Sequence, residues 1–170
     1  LKLARGYEKY DVVWLEEPLH HLVNPELSAK LAAAVEIEIA GGGQITYSHH
    51  FKTLLEKRAL DIVQPDVENV GGISETRKVA LLAEAYGQVC VCHSFGPGLL
   101  LPATLQVVGS TDIPYVECAY YPPVITHEIR DSILKEPLEV GKHGDLEIPS
   151  KPGLGVELNE ETVAKYTIEI

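Results

Sequence analysis

Five points at which an extended stretch gives way to a loop recur at nearly constant intervals along this chain. They are Glu16, Gly43, Asp66, His93 and Glu117, separated by 27, 23, 27 and 24 residues. Each interval holds the same parts in the same order. Residues 11–15, 35–40, 61–63, 89–92 and 115–116 are short apolar or β-branched runs that read as strands. Asn24-Pro25-Glu26 supplies an N-cap, a proline at the first helical position and an acid in the first turn, opening a helix through Leu27, Leu31 and Ala34. Ser48 is expected to cap a second helix with Phe51, Leu54 and Leu55 on its apolar face. Gly71-Gly72 breaks the chain before a helix predicted over 74–86, with Ile73, Val79, Ala80 and Ala83 on one side. Gly96-Pro97-Gly98 precedes another helix, through Leu105 to Val108 and stopped at Gly109. This strict alternation predicts an α/β fold with parallel strands joined by helical crossovers.

The interval is slightly leaner than the ~30 residues per unit of an eight-unit barrel of ~250 residues. In such a barrel the strand ends and the loops that follow them form the active-site face. Four of the five strand-end residues here are ionisable. Residues two apart on a strand share a face, so Trp14 goes with Glu16, Gln64 with Asp66, Val91 with His93 and Tyr115 with Glu117. Asp66 and His93 end consecutive strands and are expected side by side. A carboxylate next to an imidazole raises its pKa and fixes its tautomer, which a general base requires.

Composition narrows the classes of partner. A net charge of −11 over 170 residues argues against a nucleic-acid or anionic-membrane surface, either of which calls for a basic patch. A hydrophobic content of 45% is enough for a sizeable core and too high for disorder. No apolar run approaches the ~18 residues of a membrane span. Three cysteines are odd and sparse, which suits a reducing, cytoplasmic setting better than a disulfide framework. The chain has no Met and begins Leu1-Lys2-Leu3, so a cut N-terminus is expected. Beyond Cys118 the texture changes. Residues 120–135 are irregular, and Glu139-Val140 and Leu146-Glu147-Ile148 flank turn residues 141–145 in a pattern that reads as a hairpin. Asn159-Glu160-Glu161-Thr162 leads into a short terminal helix or strand.

Taken in order, Trp14-Leu15-Glu16-Glu17-Pro18, Ile39-Ala40-Gly41-Gly42, Gln64-Pro65-Asp66 before Gly71-Gly72, His93 and Pro152-Gly153-Leu154-Gly155-Val156 resemble the barrel half of the enolase superfamily. The resemblance is to its mandelate racemase and acid-sugar dehydratase branch, and it covers nearly the whole chain. It implies strands four to eight of a (β/α)8 TIM-type barrel over residues 1–119. Residues 120–170 would form a C-terminal segment packing on an N-terminal capping domain that lies outside the chain. It implies abstraction of the proton α to a carboxylate in a hydroxy acid, with Mg2+ holding the enediolate. By that resemblance Glu16 is a metal ligand, Asp66 and His93 form the dyad in which His93 is the base, and Glu117 bonds the substrate carboxylate or the enediolate. The sister branch carries a catalytic lysine where this chain has Asn69, which favours the dyad.

Two departures stand out. The resemblance places a third ligand, a glutamate, where this chain has Gly43, and the first ligand, an aspartate, upstream of Leu1. Mg2+ dehydrates reluctantly and needs several anchored ligands, so the isolated chain is expected to bind it no better than a generic carboxylate and to be inactive. The expected function is that of a sugar-acid dehydratase. The alternatives are a 2-hydroxy-acid racemase and a non-catalytic barrel piece kept for assembly. Open strand edges predict a homo-oligomer. Other chemistry-bearing residues have plainer readings. Cys90 and Cys92 should pack against flanking helices, His20-His21 and His49-His50 should be solvated or weakly substrate-facing, Tyr120-Tyr121 should pack, and Gly41-Gly42-Gly43 lacks the spacing of a phosphate cradle.

Overall fold

The computed structural model describes residues 1–168. Four parallel strands form one sheet in sequential order: β1 (Trp14–Glu16), β2 (Glu38–Gly41), β3 (Ile62–Val63) and β4 (Val89–Cys90). Crossover helices α2 (Pro25–Ala32), α3 (Ser48–Glu56) and α5 (Ile73–Ala85) join them, and α6 (Leu100–Val108) follows β4. Before the sheet come α1 (Lys2–Tyr7) and a 3-10 turn (Glu8–Tyr10), neither of which has a sequence signal strong enough to stand out. After it come two short helices, α7 (His127–Arg130) and α8 (Glu160–Tyr166). The expected fifth strand is reduced to a single parallel bridge between Cys92 and Val116.

Local chemistry explains the helix starts. The Asn24 side chain accepts from the Leu27 N–H at 2.9 Å, and Pro25 sits at the first helical position. The expected cap at Ser48 is displaced. Tyr47 occupies the N-cap, and the Ser48 hydroxyl instead donates to Glu75 at the start of α5, at 2.5 Å. A further short helix, α4 (Val67–Val70), is capped by the Asp66 carboxylate, which accepts from the N–H groups of Glu68 and Asn69. The Asn159 side chain caps α8 in the same way, through the Thr162 N–H.

The two faces of the sheet are unequal. Leu15, Ile39, Val63, Cys90 and Cys92 point outward into the main core, against Phe51, Leu54, Leu55, Val79, Ala83, Leu100 and Val107. Burying each large apolar side chain there stabilises the fold by about 1.5–3 kcal/mol. The expectation that both cysteines pack against the helices matches this arrangement. The opposite face carries a small cluster of Ala40, Ile62 and Val91 with Trp14 against it. In a flat sheet the first and fifth strands would lie about 19 Å apart at ~4.8 Å per strand. Yet the Trp14 and Tyr115 rings are 6.5 Å apart, so the sheet is strongly rolled toward its inner face.

The ladder refines the spacing read from sequence. Trp14 pairs with Glu38, Ala40 with Ile62, Val63 with Cys90, and Cys92 with Val116, offsets of 24, 22, 27 and 24. The last two intervals agree with the expected 27 and 24. The register partner of Glu16 is Ala40, so Gly43 lies three residues beyond the level of Glu16 and belongs to the loop after β2. In the C-terminal segment the turn at 141–145 is closed by Gly141 N–H to Asp145 O at 2.7 Å, but its flanks form no ladder, so the expected hairpin is a turn without strands. A buried pair holds this segment: Arg130 donates to both Asp131 carboxylate oxygens and to Leu138 O, and Asp131 accepts from the Leu138 N–H. No helix of the described residues is long and apolar enough to cross a membrane.

Candidate active site

The inward-facing positions of the strands continue upward into a group of polar side chains at the C-terminal ends of the sheet. Trp14 and Glu16 share the inner face of β1, Ile62 and Gln64 that of the β3 segment, and Val91 and His93 that of the β4 segment. On β2 the corresponding positions are small, Ala40 and then glycines. Gln64 can therefore reach past β2 to β1, where its Nε2 donates to Glu16 Oε2 at 2.8 Å. The Trp14 indole N–H reaches the same oxygen at 3.4 Å.

Asp66 and His93 form a parallel bridge at the strand ends. His93 Nδ1 lies 2.6 Å from Asp66 Oδ2. The Asp66 carboxylate is almost wholly buried, and its other oxygen is fixed by the α4 cap. The imidazole is thus held in one orientation, with Nε2 turned toward Glu117 Oε2 at 4.0 Å. Glu117 is anchored in turn by the Ser94 N–H at 2.7 Å. The His93 pKa is raised, chiefly by the hydrogen bond to Asp66, with burial opposing and the charges of Glu117, Asp66 and Glu16 adding to it. Aspartate, imidazole and glutamate therefore follow one another across three neighbouring strand ends. Such a series can take a proton at Nε2 and return it, with a carboxylate alongside to meet a developing charge.

The four residues singled out for function all lie at this rim, but in two groups. Asp66, His93 and Glu117 are linked directly. Glu16 belongs to a separate hydrogen-bonded set with Gln64 and Trp14. Gln64 and Asn69 escaped notice as site residues. Gln64 was legible only as the inner-face partner of Asp66, and Asn69, whose amide donates to Gly43 O at 2.8 Å, only as the position where the sister branch has a lysine. The histidine pairs divide. His20 and His49 are exposed, His50 is half-buried with Tyr47 and His49 around it, and His21 is buried. His21 is the correction to the solvated reading: its Nδ1 is 3.0 Å from Ser28 Oγ and its Nε2 3.7 Å from Glu17 Oε2. Burial lowers its pKa, with Glu17 opposing and His20 adding to the lowering. Tyr120 and Tyr121 are exposed and rest on His127 and Phe95.

The donor set does not fit Mg2+. Of the ligands the resemblance implies, Glu16 is the one whose carboxylate lies at the rim, and its Oε2 already accepts from Gln64 and Trp14. Glu17 has turned away to accept from the Gly42 N–H at 2.7 Å, Gln44 is exposed, and Gly43 has no side-chain oxygen. Among the described residues no three His, Cys, Asp or Glu side chains converge as a metal-binding group.

Comparison with known proteins gives a consistent kinship. The pattern of the enolase C-terminal domain-like family matches residues 1–162. The chain is 33% identical over 168 residues to arabinonate dehydratase of Saccharolobus solfataricus, covering 98% of this chain and 43% of that protein. It is 33% identical over 168 residues to D-xylonate dehydratase of Haloferax volcanii, covering 99% of this chain and 40% of that protein. Among solved structures, the 3,6-anhydro-D-galactonate cycloisomerase from Zobellia galactanivorans superposes with a TM-score of 0.86 at 31% identity, over 99% of this chain and 46% of that one. The chain thus spans under half the length of these relatives.

Proposed function

The chain belongs to the enolase superfamily, and from that premise we propose that it is the catalytic barrel portion of an acid-sugar dehydratase. The proposal takes residues 1–119 as strands four to eight of a (β/α)8 barrel. Residues 120–170 then form the segment that meets a capping domain. The observation that carries it is the Asp66–His93–Glu117 series, with His93 Nδ1 bound at 2.6 Å and Nε2 turned toward Glu117 at 4.0 Å. The rolled sheet, the match over residues 1–162 and the sugar-acid dehydratases among the relatives support it.

In this scheme His93 Nε2, which faces Glu117 and has no hydrogen bond of its own among the described residues, takes the proton α to the carboxylate of a sugar acid as that C–H bond breaks. The same imidazole then gives a proton to the departing β-hydroxyl, which leaves as water, so protons balance over the cycle. Asp66 holds the ring and stabilises its protonated form. Glu117, when it carries a proton, donates a hydrogen bond to the substrate carboxylate or enediolate oxygen and keeps that proton throughout. No step is assigned to a metal ion, because the donor set here does not hold one, and the 170 residues alone are expected to be inactive. We also propose that the chain self-associates, since β1 has a hydrogen-bonded neighbour on one side only.

A second reading, a barrel half kept for assembly without catalysis, is favoured by Gly43 alone. The two separate cleanly in the full-length protein supplied with a panel of aldonic acids in D2O. Exchange of the substrate α-hydrogen that is present in the wild type and lost in His93→Gln supports the enzyme. Absence of exchange and of dehydration with every acid in the wild type supports the assembly role.

A further inference from the structure

The three consecutive glycines that end β2 and open the loop after it each lie under a different ring. A Cβ added at Gly41 would run into His21 Nε2. One added at Gly42 would lie 2.7 Å from Phe51 Cε1, and one at Gly43 would lie 2.6 Å from His93 Cδ2 and 2.8 Å from His93 Cγ. Real Cβ atoms do not approach other atoms so closely. The first two glycines support buried packing, whereas the third supports the imidazole at the centre of the candidate site.

Gly43 differs from Gly42 in one respect. Gly42 has φ +118°, a conformation that itself favours glycine, whereas the backbone at Gly43 lies outside that left-handed region. Position 43 therefore demands glycine for space alone. The ring above it cannot swing aside, because Nδ1 is bound to Asp66, and Asp66 is fixed by the α4 cap. Nor can the main chain drop away freely, because Asn69 Nδ2 holds the Gly43 carbonyl at 2.8 Å. Asn69 itself lies in α4, the helix that Asp66 caps. One short helix thus fixes both the floor of the imidazole and its orienting carboxylate.

We infer that Gly43 is the seat of His93, and that this seat replaces a metal ligand: the loop after β2 positions an imidazole where the superfamily resemblance places a cation-binding carboxylate. A glutamate at 43 and His93 in its present place exclude each other. The inference is independent of the reaction proposed above, since every readout below is taken without substrate.

The test is a double-mutant cycle in the full-length protein, combined with Mg2+ calorimetry. Gly43→Ala is expected to lower the unfolding midpoint and to weaken the downfield His93 Nδ1–H signal characteristic of a carboxylate-bound imidazole. In a His93→Ala background the same substitution is expected to cost much less. Mg2+ should give no saturable heat in the wild type at millimolar concentration. Gly43→Glu should lose the His93 Nδ1–H signal, whether or not it gains Mg2+ heat. Equal destabilisation by Gly43→Ala in both backgrounds overturns the seat. Saturable Mg2+ binding by the wild type, or by Gly43→Glu with an unchanged His93 signal, overturns the replacement. The wild-type titration needs no variant and decides the metal claim even where a variant fails to fold.

Discussion

Asp66 and His93 meet at 2.6 Å through Oδ2 and Nδ1, while the second oxygen of the same carboxylate accepts from two backbone N–H groups at the start of α4. One side chain therefore serves a helix and a ring together, and two substitutions should separate those duties. Asparagine retains an oxygen for the cap but loses the charge, so Asp66→Asn is expected to fold with little loss. It should slow turnover in the full-length protein by on the order of 10²–10⁴-fold. Asp66→Ala removes the cap as well and should cost about 1 kcal/mol more in urea unfolding. Equal stability of the two variants would show that the cap contributes nothing.

The raised pKa of His93 carries a sign. The folded state holds this proton more tightly than the unfolded chain. The stabilisation is therefore complete below the ordinary histidine value and is lost as pH rises through the elevated folded value. NMR titration should place His93 above the ordinary value in the wild type and bring it down in Asp66→Asn. A His93 that titrates identically in both would separate the shift from the Asp66 bond.

His21 works in the opposite direction. Burial holds its pKa down, so the unfolded chain takes up a proton that the folded chain resists. Stability is expected to fall as pH drops below the ordinary histidine value. His21→Asn can keep the bond to Ser28 Oγ and should flatten that acid-side decline in a pH series of thermal melts. A decline as steep as in the wild type would assign it to other groups.

Arg130 and Asp131 are both buried and bind each other at 2.6–2.8 Å. Removing one partner strands a charge, so Asp131→Asn is expected to destabilise by about 3–5 kcal/mol. The double variant Arg130→Met/Asp131→Leu should cost less than the single one, because no unpaired charge remains. Chemical denaturation of the three proteins decides the matter.

The free edge of β1 and the exposed Val13 beside it lead us to expect self-association that a lysine can interrupt. Val13→Lys should shift sedimentation toward the monomer. A wild type that is monomeric at all concentrations would refute edge pairing.

Much of this was readable from periodicity. The strand–helix alternation, the Asn24 cap and the inner-face pairing of Gln64 with Asp66 and Val91 with His93 rest on local rules that tertiary packing did not override. Ser48 misled because a hydroxyl that can cap a helix can equally bond to a distant carboxylate, and Glu75 is brought to it only by the fold. The fifth strand is a single bridge at Val116, and Pro114 just before it offers no N–H to a ladder. His21 could not be distinguished from His20 in the sequence. Its burial depends on glycine at position 41, and that is a contact between a loop and a neighbouring strand, not a pattern along one.

The meeting of Trp14 with Tyr115 has a practical consequence. The chain contains a single tryptophan, and its indole sits against a tyrosine from the far side of the rolled sheet and a hydrogen bond from the candidate site. Excitation of Tyr115 should pass to Trp14 only while the sheet stays curled, and Tyr115→Phe isolates that contribution from the other tyrosines. The protein therefore has a built-in optical gauge of its own curvature, which dims as the sheet flattens and needs no attached dye.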